Sequence, residues 1–258
     1  MHKRRRGKRC GGRAHVSVRG MWWNARGLED DLELVQDYMV EKKIDYACFC
    51  ETKVFGKDLC AGDEAWAWHA GPEVLPKLGL EMPNMGLGVM VSKALFPSSN
   101  IVRTGKYSVW VRLPGTVVDA FVCAAYVPVY ANLKAAAMQE IVDGCGEFRA
   151  KGVVIIGGDL NVRCGCNGDS VIDTQGRALL RLCSENSMCL VNQLENVCTG
   201  EFTRVQNVTI DEVVHTRKTT LDYVLVPTEQ EPRVLELVID AEPEKSGLVS
   251  DHRPIRVL

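Results

Sequence analysis

No apolar run in the 258 residues approaches the eighteen or so that a membrane-spanning helix requires. The charged N-terminus is followed by no apolar h-region, which argues against a secretory signal. No Pro/Ser-rich linker, low-complexity block or internal repeat interrupts residues 14–258, so one domain is expected there. The eleven cysteines lack the even, framed spacing of a disulfide scaffold. Cys48 and Cys50 alternate along an apolar strand and Cys123 sits inside the run Phe121–Ala125, which reads as free core thiols in a reducing compartment. Cys164-Gly165-Cys166 has no second pair at zinc-finger spacing, which argues against structural zinc.

What the chain does have is 46% apolar residues, enough to bury a large core. Its formal net charge of −2 hides an asymmetry. Seven of the 31 basic residues lie in 1–13, which holds no acid, leaving 24 against 33 acidic residues and a body near −9. Such a tail serves as a nuclear localisation signal, a nucleic-acid arm or a solvated end, and a nuclear or nucleocytoplasmic location is expected. The acidic body argues against tight, sequence-blind coating of DNA, though not against an enzyme touching a few phosphates.

Periodicity predicts strands near 14–23, 45–51, 65–70, 86–93, 100–105, 107–113, 117–126, 152–157 and 188–191. In the last third it predicts strands at 202–205, 208–214, 220–226, 233–240 and 252–257. Helices are expected near 29–42 (Leu32, Leu34, Val35, Tyr38, Met39), 131–149 and 174–186. Strands outnumber helices about three to one, a count met by two packed sheets flanked by helices. The last strand runs to Leu258, as expected of a domain taken from a longer chain.

Five apolar strands end in polar residues. The run Val153–Ile156 closes in Gly157-Gly158-Asp159-Leu160-Asn161, where two glycines are expected to turn the backbone sharply. Trp22-Trp23 ends in Asn24, and Ala47–Cys50 in Glu51. The others are Asp222 before Tyr223–Leu225, and Ser250-Asp251-His252 before Arg253-Pro254. A lone Gly-Gly-Asp is usually only a turn, and a lone Asp-His pair usually a surface or capping pair. Five such tips together point to one shared site. Glu51, Asp159, Asp222 and Asp251 cannot sit ionised side by side without a counter-charge, which a hard cation such as Mg2+ supplies. A histidine held by an aspartate, as His252 would be, has its tautomer and orientation fixed.

The order WNARGL, CETK, YVP, GGDLN, LDYVL, SDHRP resembles the endonuclease/exonuclease/phosphatase superfamily over about residues 16–258. Within it the chain is most similar to the exonuclease III and apurinic-endonuclease branch, and closest to the endonuclease domains of non-LTR retrotransposons. The resemblance implies an α/β fold, a four-layer α/β/β/α sandwich of two mainly antiparallel sheets. It also implies Mg2+ (or Mn2+), DNA as partner and a following reverse-transcriptase region in a longer product.

Carried over residue by residue, Glu51, Asn24 and Asp251 match metal-site positions. Asp159, Asn161, His252, Tyr126 and Asp222 match catalytic ones. The resemblance implies that Asp159 and Asn161 are the pair proposed to activate water and orient the phosphate, without fixing which group is the general base. It likewise implies that Asp222 supports His252, which would stabilise charge on the scissile phosphate, and that Tyr126 would contact that phosphate. Thr203 and Ser250 match positions of the retrotransposon branch, and the resemblance implies that both contact DNA. A hairpin over Arg204–Lys218, with Arg204, His215, Arg217 and Lys218 at its ends, is expected to reach DNA. The implied reaction is attack of water on a phosphodiester, leaving 3′-hydroxyl and 5′-phosphate ends. The alternatives are an apurinic/apyrimidinic repair endonuclease, a phosphatase (disfavoured by Tyr126) and a catalytically dead scaffold, which the intact polar set argues against.

Overall fold

The computed structural model describes residues 17–54, 58–71 and 86–258. The basic segment 1–13 lies outside these. Fifteen strands are present among the described residues. The first eight are β1 (Gly20–Asn24), β2 (Tyr46–Cys50), β3 (Trp66–Ala70), β4 (Leu87–Ser92), β5 (Asn100–Thr104), β6 (Ser108–Leu113), β7 (Asp119–Tyr126) and β8 (Gly152–Asp159). After them come β9 (Met188–Leu190), β10 (Cys198–Thr199), β11 (Arg204–Ile210), β12 (Val213–Thr219), β13 (Asp222–Pro227), β14 (Leu237–Ile239) and β15 (Ile255–Val257). Three helices accompany them: α1 (Leu32–Glu41), α2 (Ala131–Phe148) and α3 (Thr174–Glu185).

One sheet runs β10-β14-β15-β1-β2-β4-β3 and the other β5-β6-β7-β8-β13-β9, with β11 and β12 forming a separate hairpin. Strand alternation explains the layers. On β2, Tyr46, Cys48 and Cys50 face the core between the sheets, while Ala47 and Phe49 join Val35, Tyr38 and Met39 of α1 on the outer face. On β7, Val122, Ala124 and Tyr126 point inward, while Phe121, Cys123 and Ala125 meet Ala137, Ile141 and Phe148 of α2 and Leu179 of α3. Both faces of both sheets are therefore covered, which is why these strands read as continuous apolar runs. The result is the expected α/β/β/α sandwich.

The ten described cysteines are free thiols. No helix among the described residues is long and apolar enough to cross a membrane.

Two expectations need correction, and one strand was not anticipated. Gly157 and Gly158 do not turn the chain; they lie inside β8, opposite Val224 and Tyr223 of β13. A Cβ on Gly157 would stand 2.7 Å from the Trp22 ring, and one on Gly158 (φ +145°) would strike the Ala125 carbonyl at 1.8 Å, so only glycine fits. The turn falls instead at Asn161, φ +48°. The strand expected at 208–214 straddles a real turn: Asp211 and Glu212 both take positive φ and link β11 to β12 in a two-residue hairpin. The short strand β10 carries too little pattern to have been anticipated.

Candidate active site

Register assembles the site. In the second sheet Tyr126 pairs in parallel with Asp159, and Asp159 pairs antiparallel with Asp222, so one row across three strands holds all three side chains. In the first sheet Asn24 stands beside Cys50 in parallel pairing, which places Glu51 at the same edge. The carboxyl ends of β1, β2, β7 and β8 and the beginning of β13 thus share one rim. Asn24 joins the sheets there: its Nδ2 donates to Asp159 Oδ2 at 2.9 Å.

Asp159 is buried, and its Oδ1 accepts the backbone N–H of Asn161 at 3.0 Å. Burial and the nearby Asp222 carboxylate push its proton affinity up, to a pKa of about 7, against the pull of His252, Asn24 and the Asn161 N–H. His252 is buried too. Its Nδ1 lies 3.1 and 2.9 Å from the two oxygens of Asp222, and its Nε2 lies 3.9 Å from Asp159 Oδ2. Burial alone would lower the imidazole, but the charge and hydrogen bonds of Asp222 outweigh it and raise it to about 9. Burial, with the charges of Asp159 and Glu51, raises the Tyr126 hydroxyl far above the ordinary phenol range. It stays a donor at any working pH.

The loop before β15 is stitched in place. Ser250 Oγ donates to the Asn24 carbonyl at 2.8 Å and accepts from His252 N at 3.1 Å. Trp23 Nε1 donates to the His252 carbonyl at 3.0 Å. Thr203 is 0% exposed, and its hydroxyl accepts from Leu221 N and Asp222 N. The DNA contact expected of Thr203 is therefore corrected, since its wholly buried hydroxyl positions Asp222, while the half-buried Ser250 positions His252 from the rim.

Asp251 stands between two guanidinium groups. Arg204 Nε donates to Oδ2 at 2.8 Å, while Arg26 Nη1 lies 2.9 Å from Oδ1 without the alignment of a hydrogen bond. Arg26 Nε also lies 3.9 Å from Glu51. Arg204 is thus turned inward to the site rather than outward along the hairpin. His215 and Arg217 share one exposed face of β12, and Lys218 takes the other, over the Phe202 ring at 5.6 Å. The basic residues of the hairpin do not form one patch.

Arg26, Glu51, Lys53 and Asn161 all adopt positive φ in the loops around the site, the kind of local strain that clusters where function fixes geometry. Sequence reasoning missed Arg26 and Lys134, whose Nζ donates to the Asn161 carbonyl. The signal for Arg26 was a cation two residues after the site asparagine.

The profile of the endonuclease/exonuclease/phosphatase family matches residues 21–252. The chain belongs to that family. No curated protein sequence matches it. In fold it is similar to the endonuclease domain of TRAS1, a telomere-specific non-LTR retrotransposon, with a TM-score of 0.70 at 14% identity, covering 93% of this chain and 97% of that one. It is likewise similar to an AP endonuclease from Archaeoglobus fulgidus (TM-score 0.66, 14% identity, 94% and 99% covered). The Xenopus laevis APE2 catalytic domain gives a TM-score of 0.66 at 15% identity over 93% and 91%. Family members are hydrolytic nucleases or phosphatases.

The donor set suits a hard divalent cation. Glu51, Asp159, Asp222 and Asp251 converge, and Asp159, Asp222 and His252 bring ligand atoms within 4.8 Å of one another. One buried oxygen of Asp251 accepts no hydrogen bond. The oxygen of Asn24 accepts the Arg26 N–H at 3.3 Å, which leaves it a second lone pair for a metal.

Proposed function

We propose that the chain is a divalent-metal-dependent DNA endonuclease that hydrolyses a phosphodiester to 3′-hydroxyl and 5′-phosphate ends, as the target-nicking domain of a non-LTR retrotransposon. The observation that carries this reading is the buried Asp222–His252–Asp159 row, with a protonated tyrosine and an asparagine at the same rim. Glu51, with Asp251 and Asn24, would hold Mg2+ or Mn2+, and the ion supplies Lewis-acid stabilisation of charge on the phosphate.

The chain's own groups do the rest. Asp159 Oδ takes the proton of the attacking water. Its carboxylate is aimed by the Asn24 amide and the Asn161 N–H. His252, kept cationic by Asp222, presents Nε2–H to a phosphate oxygen, and the Tyr126 hydroxyl presents a second fixed donor. Asn161 holds its own turn, its Nδ2 donating to the Val127 carbonyl at 3.0 Å. Likeness in fold to TRAS1 and the exposed hairpin β11–β12 support the retrotransposon assignment, with a reverse-transcriptase region following in the longer product.

Supercoiled plasmid nicking with Mg2+, with and without EDTA, tests the proposal against Asp159→Ala, beside an abasic-site duplex. Metal-dependent nicking of intact DNA, lost in the variant, is the expected result. Strong preference for the abasic duplex would move the protein to repair.

A further inference from the structure

Helix α2 packs on the second sheet through Ala137, Met138, Ile141, Cys145 and Phe148, an apolar stripe at three- and four-residue spacing. Lys134 occupies the preceding position of that stripe and is only 7% exposed. A buried amine there costs desolvation that a leucine or methionine would avoid, so packing does not explain it. Its partner does. Lys134 Nζ donates to the carbonyl of Asn161, the residue that turns the chain after Asp159. Burial lowers the proton affinity of this amine, and the carboxylates of Asp173, at the N-terminus of α3, and of Asp159 offset that only in part.

The turn it grips is the one that aims Asp159. Asn161 has φ +48°, in the left-handed region that asparagine enters more readily than most residues, but contacts are still needed to fix the turn in one place. Three anchors supply the constraint: its N–H on Asp159 Oδ1, its Nδ2 on the Val127 carbonyl and its own carbonyl on Lys134. The first two come from neighbouring strand ends, and only Lys134 reaches the turn from the helical layer. We propose that Lys134 is a positioning residue for the nuclease reaction, fixing the Asn161 carbonyl and thereby directing the Asn161 N–H onto the Asp159 carboxylate. This rests on the function proposed above and adds to it a residue that touches neither substrate nor metal.

The test compares wild type with Lys134→Met and Lys134→Arg, in nicking kinetics and in hydrogen exchange of the metal-free protein. Lys134→Met should lower kcat by about tenfold to hundredfold, the scale of a small misplacement at a reacting centre, with KM for DNA within about twofold. Lys134→Arg, which keeps a cationic donor, should recover most of kcat. In exchange, Leu160 and Asn161 should lose protection in Lys134→Met while Val224 and Leu225 of β13 keep theirs. Unchanged kcat and unchanged exchange at the turn would overturn the inference. So would a rise in KM at constant kcat, which makes Lys134 a phosphate contact, or loss of protection throughout the domain, which makes it a packing residue. If wild type fails to nick, the functional reading fails, and the exchange data alone decide whether Lys134 holds the turn.

Discussion

The rim of the sandwich and the hairpin β11–β12 are built from similar strands yet follow opposite rules. At the rim every side chain is set by register: Tyr126, Asp159 and Asp222 share a row, and a slip of one residue would turn them all away. Asp159 is buried and engaged by Asn24 and Asn161, and Asp222 by Thr203 and His252. The hairpin pairs with itself except at its base, where Arg204 bridges to His252, and Val213, Val214, His215, Arg217 and Lys218 all face solvent. One region is over-determined and suited to chemistry. The other is free to vary and suited to target choice. They meet at one joint, where Arg204 binds Asp251 and Val205 N donates to the Asp251 carbonyl.

The largest effect should come from the rim. Asp159→Ala or His252→Ala is expected to reduce plasmid nicking by about a thousandfold or more, since single preorganised groups carry two to three orders of magnitude. Asp159→Ala removes a buried charge that costs desolvation, so the fold should survive it, whereas His252→Ala leaves Asp222 unpaired and should cost stability as well as activity. Near-normal turnover in either variant would refute the site assignment. A purely structural counterpart sits nearby. Asp169 is buried and accepts from Arg163 Nε and Nη2, Val171 N and Thr220 N. Asp169→Ala strands Arg163 and those N–H groups, so it should cost about 3 kcal/mol in urea denaturation.

Acid and base should act on these two regions with opposite sign. Burial pushes Asp169 up, but the hydrogen bonds from Arg163, Val171 and Thr220 prevail and lower it. Its stabilisation is present above the ordinary carboxylate value near 3.8 and is lost as pH falls through the folded value. At the rim both groups are raised. The proton on Asp159 is favoured by the fold, so its charging costs stability as pH rises from about 3.8 through about 7. His252 contributes stability that is complete below about 6.5 and lost as pH rises through about 9. In EDTA the urea midpoint should therefore fall between pH 5 and pH 9. Asp222→Asn should flatten the upper half of that fall and lower the His252 resonance titration in NMR. A His252 midpoint that does not move in Asp222→Asn would show that Asp222 is not its support.

Much of the rim was legible because its polar residues stand at the ends of apolar runs, and the spacing of those ends survives in one dimension. Thr203 was legible as a member of the site and wrong in role, because only the folded chain shows where a hydroxyl points. Gly157 and Gly158 suggested a turn because sequence does not reveal that Trp22 and Ala125 leave no room for a Cβ. Lys134 was hidden for a related reason. One lysine at the start of an amphipathic helix looks like a solvated end until its stripe is traced onto the core. The turn at Asp211-Glu212 was misplaced because two acidic residues do not carry the Asn-Gly signal of a tight hairpin.

The smallest energetic effect, and the sharpest on specificity, belongs to the hairpin. Arg217→Ala should change stability by no more than about 0.5 kcal/mol, as for an exposed residue outside any core. If Arg217 touches a phosphate, the variant should bind DNA about equally more weakly across sequences and reduce the slope of log affinity against log salt by about one. Replacing Val205–Lys218 while keeping Arg204 leaves the joint to Asp251 intact, so nicking should persist. The distribution of cut sites on a mixed-sequence plasmid should then shift, because a solvent-exposed strand pair beside the site presents its side chains to whatever duplex lies in the groove. An unchanged distribution at unchanged activity would confine target choice to the rim loops, and the division between the two regions would lose its functional meaning.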